Sequence, residues 1–163
     1  MKKEIVTHPE MKLMGISTRT RNAAEFNPET AKILPTVQDY FHNGLYDKLT
    51  NRKTPGKTYC VYTEYESDHS AAYNYFIGEE VEPNAEASEG LTTITIPAQS
   101  YAKFTTNPGP MPTVCINAWL DIWKMTDEEL GGKREYRADF EVYDERALDH
   151  GNTVLDIYIG IKH

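Results

Sequence analysis

The chain has 163 residues, a length typical of one domain and sufficient to bury a core without disulfides or metal ions. It carries 17 Lys and Arg against 25 Asp and Glu, which gives a formal net charge of −8 at pH 7. A surface this acidic repels the phosphate backbone of nucleic acids, and no basic cluster offsets it, so we expect no direct binding to nucleic acid.

The cysteines and the N-terminus indicate where such a protein would reside. Cys60 and Cys115 are expected to be separate buried thiols rather than a disulfide, since two cysteines in a domain of this size are seldom paired. The N-terminus lacks the apolar run of a signal peptide, and no apolar run is long enough to span a bilayer. We therefore expect a cytoplasmic protein without a membrane partner.

Strand and helix signals alternate in the first half of the chain. Val6–Pro9 and Lys12–Thr18 are predicted to be extended segments joined at a proline. Asn27 offers an N-cap, followed by a proline and an acidic residue, which predicts a helix from there to about His42. Pro35 should kink this helix or delay its start.

The second half repeats the order of the first. Two strands at Tyr59–Tyr65 and Ala72–Val81 complete a β-α-β-β unit, and an acidic connector follows. Ile94–Pro97 then restates the opening segments, with Pro97 matching Pro9. The sequence predicts one domain over residues 1–163, with internal repeats at about 9–80 and 97–162.

A second helix is predicted after the turn at Asn107–Pro110, with Pro112 near its first position. Its apolar stripe at helical spacing consists of Val114, Cys115, Ala118, Trp119, Ile122 and Trp123. A stripe of this kind is more often core than ligand pocket, so both interpretations of its tryptophans stay open.

A carboxylate on the next strand gives the strongest functional signal. In the strand Tyr136–Glu145, alternation places Glu141 and Tyr143 on the face opposite the apolar residues. The last strand, Thr153–Ile161, alternates in the same way, and we expect it to present Tyr158 beside Glu141. A carboxylate framed by aromatic rings suits a lipophilic cation or a polarised aromatic molecule.

Three segments resemble a known family over nearly the whole chain: Asp139–Asp144, Val154–Ile159 and Ile96–Phe104. They are similar to the GyrI-like small-molecule-binding domain, the effector-binding domain of multidrug-responsive transcription activators. The resemblance implies an α+β fold with duplicated β-α-β-β units related by pseudo-twofold symmetry. It also implies antiparallel sheets with helices on one side and a central ligand cleft.

The resemblance assigns ligand-binding roles by position. It gives Glu141 the role of the family's glutamate and Tyr158 that of the last-strand aromatic residue, and it points less firmly to Trp119 and Trp123 in the helix. The remaining candidates are Tyr143 beside Glu141, and Tyr62 and Tyr75 as an opposite wall supplied by the first repeat. For Tyr62 and Tyr75, cross-strand packing is an equally good interpretation.

No motif predicts a metal ion or another cofactor. The histidines are scattered, and the sequence lacks a Cys-x-x-Cys pair, a phosphate loop, a Gly-x-Ser-x-Gly elbow and a dinucleotide fingerprint. In many relatives this domain follows a helix-turn-helix module. Here the first strand begins within ten residues, so we expect no DNA-reading element in this chain.

The leading hypothesis is a stand-alone binding protein that takes up a hydrophobic, cationic or aromatic small molecule, with Glu141 as its polar anchor. Two alternatives stay open. Some GyrI-like relatives are hydrolases of reactive, drug-like electrophiles, for which Glu141 would be the base. Gyrase-inhibitory relatives suggest a regulator whose acidic surface binds a protein partner.

Overall fold

The computed structural model describes residues 1–162 and shows an antiparallel sheet of nine strands with four short helices in that part of the chain. The strands are β1 (Lys2–His8), β2 (Met11–Thr20), β3 (Thr58–Thr63), β4 (Tyr73–Glu80), β5 (Thr92–Ile96), β6 (Gln99–Thr105), β7 (Lys133–Arg134), β8 (Ala138–Tyr143) and β9 (Asp156–Lys162). The helices are α1 (Asn22–Glu25), α2 (Ile33–His42), α3 (Thr113–Trp123) and α4 (Asp127–Leu130). The α+β class predicted from the sequence is confirmed. Across residues 1–162, no helix has the length and apolar character needed to cross a bilayer.

The strand order is β1-β6-β9-β8-β3-β4-β2-β5, with β7 added beside β9. This order is symmetric about the central pair β3 and β8. On one side lie β3, β4 and β2 of the first β-α-β-β unit, and on the other lie β8, β9 and β6 of the second unit in the same order. The edge strands are exchanged: β1 pairs with β6 of the second half, and β5 pairs with β2 of the first. We propose that the halves arose by duplication of the repeats at about 9–80 and 97–162.

The two faces of the sheet pack differently. The side chains of one face form a single hydrophobic cluster that includes Met11, Ile96, Tyr101 and Phe140. Because these residues come from both outer and central strands, the sheet must curve to bring them into contact. The other face carries the helices: α2 lies over β2 and β4, and α3 packs on β6 and β9. Since α2 and α3 cover different halves, a gap between them lies above the central strands.

The start of α2 corrects one prediction. Asn27 was expected to cap this helix, but the helix begins only at Ile33. The reason is that the carboxylate of Glu25 accepts hydrogen bonds from the backbone amides of Lys32 and Ile33, at 2.9 and 3.0 Å. Pro35 therefore lies in the first turn of the helix, where a backbone N–H has no intrahelical acceptor and its absence costs no hydrogen bond. The predicted delay of the helix start is confirmed.

The register of β8 with β9 corrects a second prediction. Phe140 pairs with Tyr158, whereas Glu141 pairs with Ile157. The rings of Phe140 and Tyr158 stack with centroids 4.5 Å apart. Because directly paired residues share a face, Tyr158 lies on the face opposite Glu141, and the expectation that they share a surface is wrong. The alternation of faces within β8 and within β9 is as the sequence predicts. The register in which the two strands pair depends on both strands together, so the pattern within one strand cannot predict it.

The buried tyrosines predict a steep loss of stability at alkaline pH. Burial raises the pKa of nine tyrosines above the usual value of 10.0 and is the largest cause of the shift in each. They are Tyr40, Tyr59, Tyr62, Tyr65, Tyr73, Tyr75, Tyr101, Tyr143 and Tyr158. A raised folded-state pKa gives stability that is complete below the unfolded value, about pH 10, and is lost as pH rises further. Each phenol that ionises only in the unfolded chain removes about 1.4 kcal/mol per pH unit.

Phenolate absorbance and far-ultraviolet circular dichroism, followed together against pH, check this expectation. The absorbance of most tyrosines should rise only as the sheet signal disappears. Ionisation of most tyrosines with the circular dichroism unchanged would contradict it.

The capping role of Glu25 gives a second prediction. Replacing Glu25 by Ala leaves the first amides of α2 without their acceptor and should lower the free energy of unfolding by about 1–2 kcal/mol. Urea denaturation measures the change, with Glu29→Ala as the control because Glu29 is exposed. A loss no larger than that of the control would show that Glu25 does not cap the helix.

Candidate ligand-binding site

A cavity of about 270 Å³ occupies the gap between the helices, above the central strands. It is lined by Asn22, Glu25, Phe26, Ile33, Tyr62, Tyr65, His69, Tyr73, Cys115, Ile116, Trp119, Leu120, Trp123 and Arg134. These residues come from α1, the start of α2, the β3–β4 hairpin, α3 and β7. Aromatic side chains dominate the walls, and the few polar groups are well separated, as is typical of small-molecule sites.

The aromatic walls are fixed by ring-to-ring contacts. The Tyr62 ring meets Trp119 edge-on, with centroids 5.1 Å apart, and lies 5.6 Å from Tyr73. On the other wall, His69 stacks on Trp123 at 6.0 Å with nearly parallel planes. Rings held in this way offer fixed surfaces to a planar or cationic molecule.

Glu141 lies directly behind the wall formed by Tyr62 and Trp119 and is 3% exposed. One carboxylate oxygen accepts from the Tyr62 hydroxyl and from the Trp119 indole N–H, each at 2.7 Å. The other accepts from the Tyr143 hydroxyl, also at 2.7 Å. Within residues 1–162, the ion pairs of Lys and Arg involve other carboxylates. Glu141 is thus a buried carboxylate held by neutral donors.

Burial and the charge of Glu141 together keep the neighbouring hydroxyls and thiol neutral. Burial, and then the negative charge of Glu141, raise the pKa of the Tyr62 and Tyr143 hydroxyls well above 10. Both hydroxyls therefore retain the protons that they donate. The same two causes raise the pKa of the Cys115 thiol, which faces the cavity as a neutral group rather than as a nucleophilic thiolate.

A second buried carboxylate lies two residues earlier on the same face of β8. Asp139 is fully buried and accepts from Arg134 Nη2 and the Tyr65 hydroxyl, both at 2.6 Å, and from the Gly160 amide at 2.7 Å. The guanidinium of Arg134 also lies 4.3 Å above the ring of Tyr136. This arrangement fixes one positively charged group at the cavity wall.

The seven candidate binding residues fall into three groups. Tyr62, Trp119 and Trp123 line the cavity. Glu141 and Tyr143 lie immediately behind it, joined to the wall by hydrogen bonds. Tyr75 is buried under Tyr62, with ring centroids 5.4 Å apart, in the packing role that the sequence left open, and Tyr158 lies on the opposite face of the sheet.

Several lining residues had no recognisable signal in the sequence. Glu25 ends a short helix for which the sequence carries no signal, Phe26 caps that helix at its C-terminus, and Arg134 belongs to a two-residue strand. His69 lies in the turn between β3 and β4, and its ring stacks on Trp123. Alternation within β4 could have indicated that Tyr73 shares the face of Tyr75, which pairs with Tyr62. Tyr65 lies beyond the end of β3, so alternation gives no guide to its position.

The polar groups at the cavity are unbalanced in charge. Three carboxylates, Glu25, Asp139 and Glu141, lie in or directly behind the walls, against the single guanidinium of Arg134. Within the described chain, no group of three or more His, Cys, Asp or Glu side chains is placed to hold a metal ion. Carboxylates therefore outnumber the guanidinium at the cavity by three to one.

Comparison with known proteins agrees with this architecture. Over 159 residues the chain is 28% identical to the putative transcriptional regulator protein YobU of Bacillus subtilis (strain 168), with 96% of each protein covered. The crystal structure of the integron cassette protein VCH_CASS2, from the mobile metagenome of Vibrio cholerae, matches with a TM-score of 0.76 at 27% identity, covering 98% of this chain and 95% of that one.

A third protein, SAV2435, was solved bound to tetraphenylphosphonium. It matches with a TM-score of 0.77 at 16% identity, covering 99% of this chain and 94% of its own, and shares the fold. The GyrI-like fold that the sequence resemblance implies is confirmed by these neighbours. The family model described as Cass2, integron-associated effector binding protein, matches residues 4–161, and the chain belongs to that family.

Proposed function

We propose that the chain binds a hydrophobic small molecule, cationic or aromatic, in the cavity, with Glu141 as the anionic anchor. One observation carries the proposal: a buried carboxylate that only neutral groups hold lies directly behind an aromatic cavity. Burying a charge without an opposite charge is costly, and a cationic ligand would offset that cost.

The anchor acts through the aromatic wall. Tyr62 and Trp119 both line the cavity and both donate to the same oxygen of Glu141. A cation against either ring, about 6 Å from the centroid, would also lie close to the carboxylate. At a cation–carboxylate separation of roughly 6–10 Å and an effective dielectric constant of about 20, the attraction is on the order of 2 kcal/mol before desolvation. Donation to a carboxylate also polarises the rings in favour of a cation.

The size of the cavity limits the ligand. A volume of about 270 Å³ lies near the lower end of the roughly 300–1,000 Å³ typical of small-molecule pockets, so a molecule of two or three rings would fill it. The rim carries Phe26, Ile116 and Leu120, which are apolar and exposed. These side chains would cover the parts of a larger ligand that extend from the cavity.

The family supports an effector-binding role, and the neighbour SAV2435 supports the ligand chemistry, because tetraphenylphosphonium is a lipophilic cation. Hydrolysis is less well supported by the geometry. Both oxygens of Glu141 already accept hydrogen bonds, and two of the donors stand between the carboxylate and the cavity. Mass spectrometry of a bound ligand after incubation distinguishes binding from turnover.

Replacing Glu141 by Gln tests the anchor. The Gln carbonyl can still accept from Tyr62 and Trp119 while its amide donates to the Tyr143 oxygen, so the fold should be retained. We expect a loss of roughly 1–3 kcal/mol in binding tetraphenylphosphonium or N-methylquinolinium, on the scale of a charge-assisted interaction. Calorimetry and tryptophan fluorescence measure it.

Quinoline, which is neutral at pH 7.5 and nearly the same shape as N-methylquinolinium, is the matched control ligand. Its affinity should be almost unchanged by Glu141→Gln. Equal weakening of the neutral and cationic ligands, or unfolding of the variant, would show that Glu141 is structural and does not anchor a cation.

Trp123→Leu separates the contribution of the aromatic wall from that of the charge. Loss of the ring stacked on His69 should weaken quinoline and N-methylquinolinium alike, by roughly 0.5–1.5 kcal/mol. Trp119 remains as the fluorescent reporter. The control is Leu148→Ala, because Leu148 is 81% exposed and lies outside the cavity. Unchanged affinity in Trp123→Leu would place the ligand elsewhere.

A further inference from the structure

We propose that Arg134 is a second polar anchor in the cavity and binds a carboxylate or similar acceptor on the ligand. This inference rests on the proposed function and narrows its ligand class: the preferred effector is an aromatic cation that also carries an anionic or strongly accepting group. Glu141 would hold its positive part and Arg134 its negative part.

The side chain of Arg134 is buried and held in place. It is 8% exposed, lines the cavity, and comes from β7, where Arg134 pairs with Ile161 of β9. Its Nη2 donates to Asp139 at 2.6 Å, and its guanidinium lies over the ring of Tyr136. An Arg fixed on two sides loses little further side-chain entropy when it binds a ligand.

The guanidinium has a donor without an acceptor. The Nε–H of Arg134 is buried and finds no hydrogen-bond partner within residues 1–162. Buried donors in native proteins are nearly always satisfied, so one left without a partner at a cavity wall indicates a missing acceptor. Nε itself is closed off from the cavity, so a ligand carboxylate would bind the part of the guanidinium that lines the cavity, and a small shift of the side chain would bring Nε within reach.

Asp139 does not satisfy the whole guanidinium. Its oxygens also accept from the Tyr65 hydroxyl and from the Gly160 amide, so the acceptor capacity left for Arg134 is limited. The charge of Arg134 is compensated, which allows it to be buried, while its remaining N–H groups stay available. The acidic surroundings disfavour a simple anion, but a zwitterion would satisfy both sides.

The two anchors are close enough for one ligand. Asp139 and Glu141 are two residues apart on one face of β8, so their Cα atoms are separated by roughly 7 Å. Arg134 binds the first, and the lining residues Tyr62 and Trp119 bind the second. A bicyclic aromatic cation with a carboxylate on its far ring spans a similar distance.

Calorimetry with N-methylquinolinium and its 6- and 7-carboxylates, which carry the acceptor on the far ring, tests the inference. We expect at least one carboxylate to bind the wild-type protein roughly tenfold more tightly than the parent cation, as for one charge-assisted hydrogen bond. In Arg134→Lys, which keeps the charge beside Asp139 but loses Nε and the planar fork, this preference should fall severalfold. Because Arg134 also lines the cavity, the parent cation is measured in each variant as the reference, and the ratio of the carboxylate affinity to the parent affinity is the quantity compared.

A double variant, Arg134→Met with Asp139→Asn, removes both charges without leaving either one buried alone. The preference for the carboxylates should disappear in it. If circular dichroism shows that the double variant is unfolded, the lysine variant decides.

The outcomes separate the two proposals. If the parent cation binds in a Glu141-dependent way but no carboxylate binds more tightly, the Arg134 anchor is wrong and the proposed function stands. A carboxylate preference that survives in both Arg134 variants also overturns it. If neither these probes nor tetraphenylphosphonium binds, the proposed function fails and this inference fails with it.

Discussion

The hydrogen bonds that converge on the buried carboxylate of Glu141 determine the shape of the cavity. Their donors come from three places: Tyr62 on β3, Trp119 on α3 and Tyr143 on β8 itself. Because one oxygen binds both Tyr62 and Trp119, the carboxylate sets how closely α3 approaches the central strands. The groups that stabilise the charge are therefore also the inner wall of the cavity. Removing the side chain without replacing its acceptors would leave three buried donors unsatisfied, at about 1–3 kcal/mol each.

The central strands place two carboxylates where the halves of the sheet meet. Asp139 and Glu141 share a face of β8, but Asp139 has a cationic partner in Arg134, whereas Glu141 has only neutral donors. The exchanged edge strands β1 and β5 tie each half of the sheet to the other. The rings around the carboxylates belong to both halves, since Tyr62 and Tyr73 come from the first and Trp119 and Trp123 from the second. A site at this junction can be reshaped by changes in α2 or α3 while the sheet is conserved.

Local pattern accounts for much of the fold and for only part of the site. Alternation in β8 predicted that Glu141 and Tyr143 share a face, and helical spacing predicted the apolar stripe of α3 that includes Trp119, but it left open whether that stripe is core or pocket. The face of Tyr158 could not be predicted in this way, because it depends on the register between β8 and β9, and a shift of one residue exchanges the faces. The start of α2 depends on Glu25, which acts from seven and eight residues earlier in the chain. Arg134 reaches the cavity through the pairing of β7 with β9, a long-range contact without a sequence signature.

We propose that the charge of Glu141, acting through the aromatic wall, selects and positions a cation. A crystal structure of the protein with N-methylquinolinium tests it most directly. We expect a ring of the ligand inside the cavity and its charged nitrogen within about 6 Å of the ring centroid of Tyr62 or Trp119, with Glu141 behind that ring. A ligand bound outside this cavity, or one whose charged nitrogen points away from Glu141 into solvent, would contradict it.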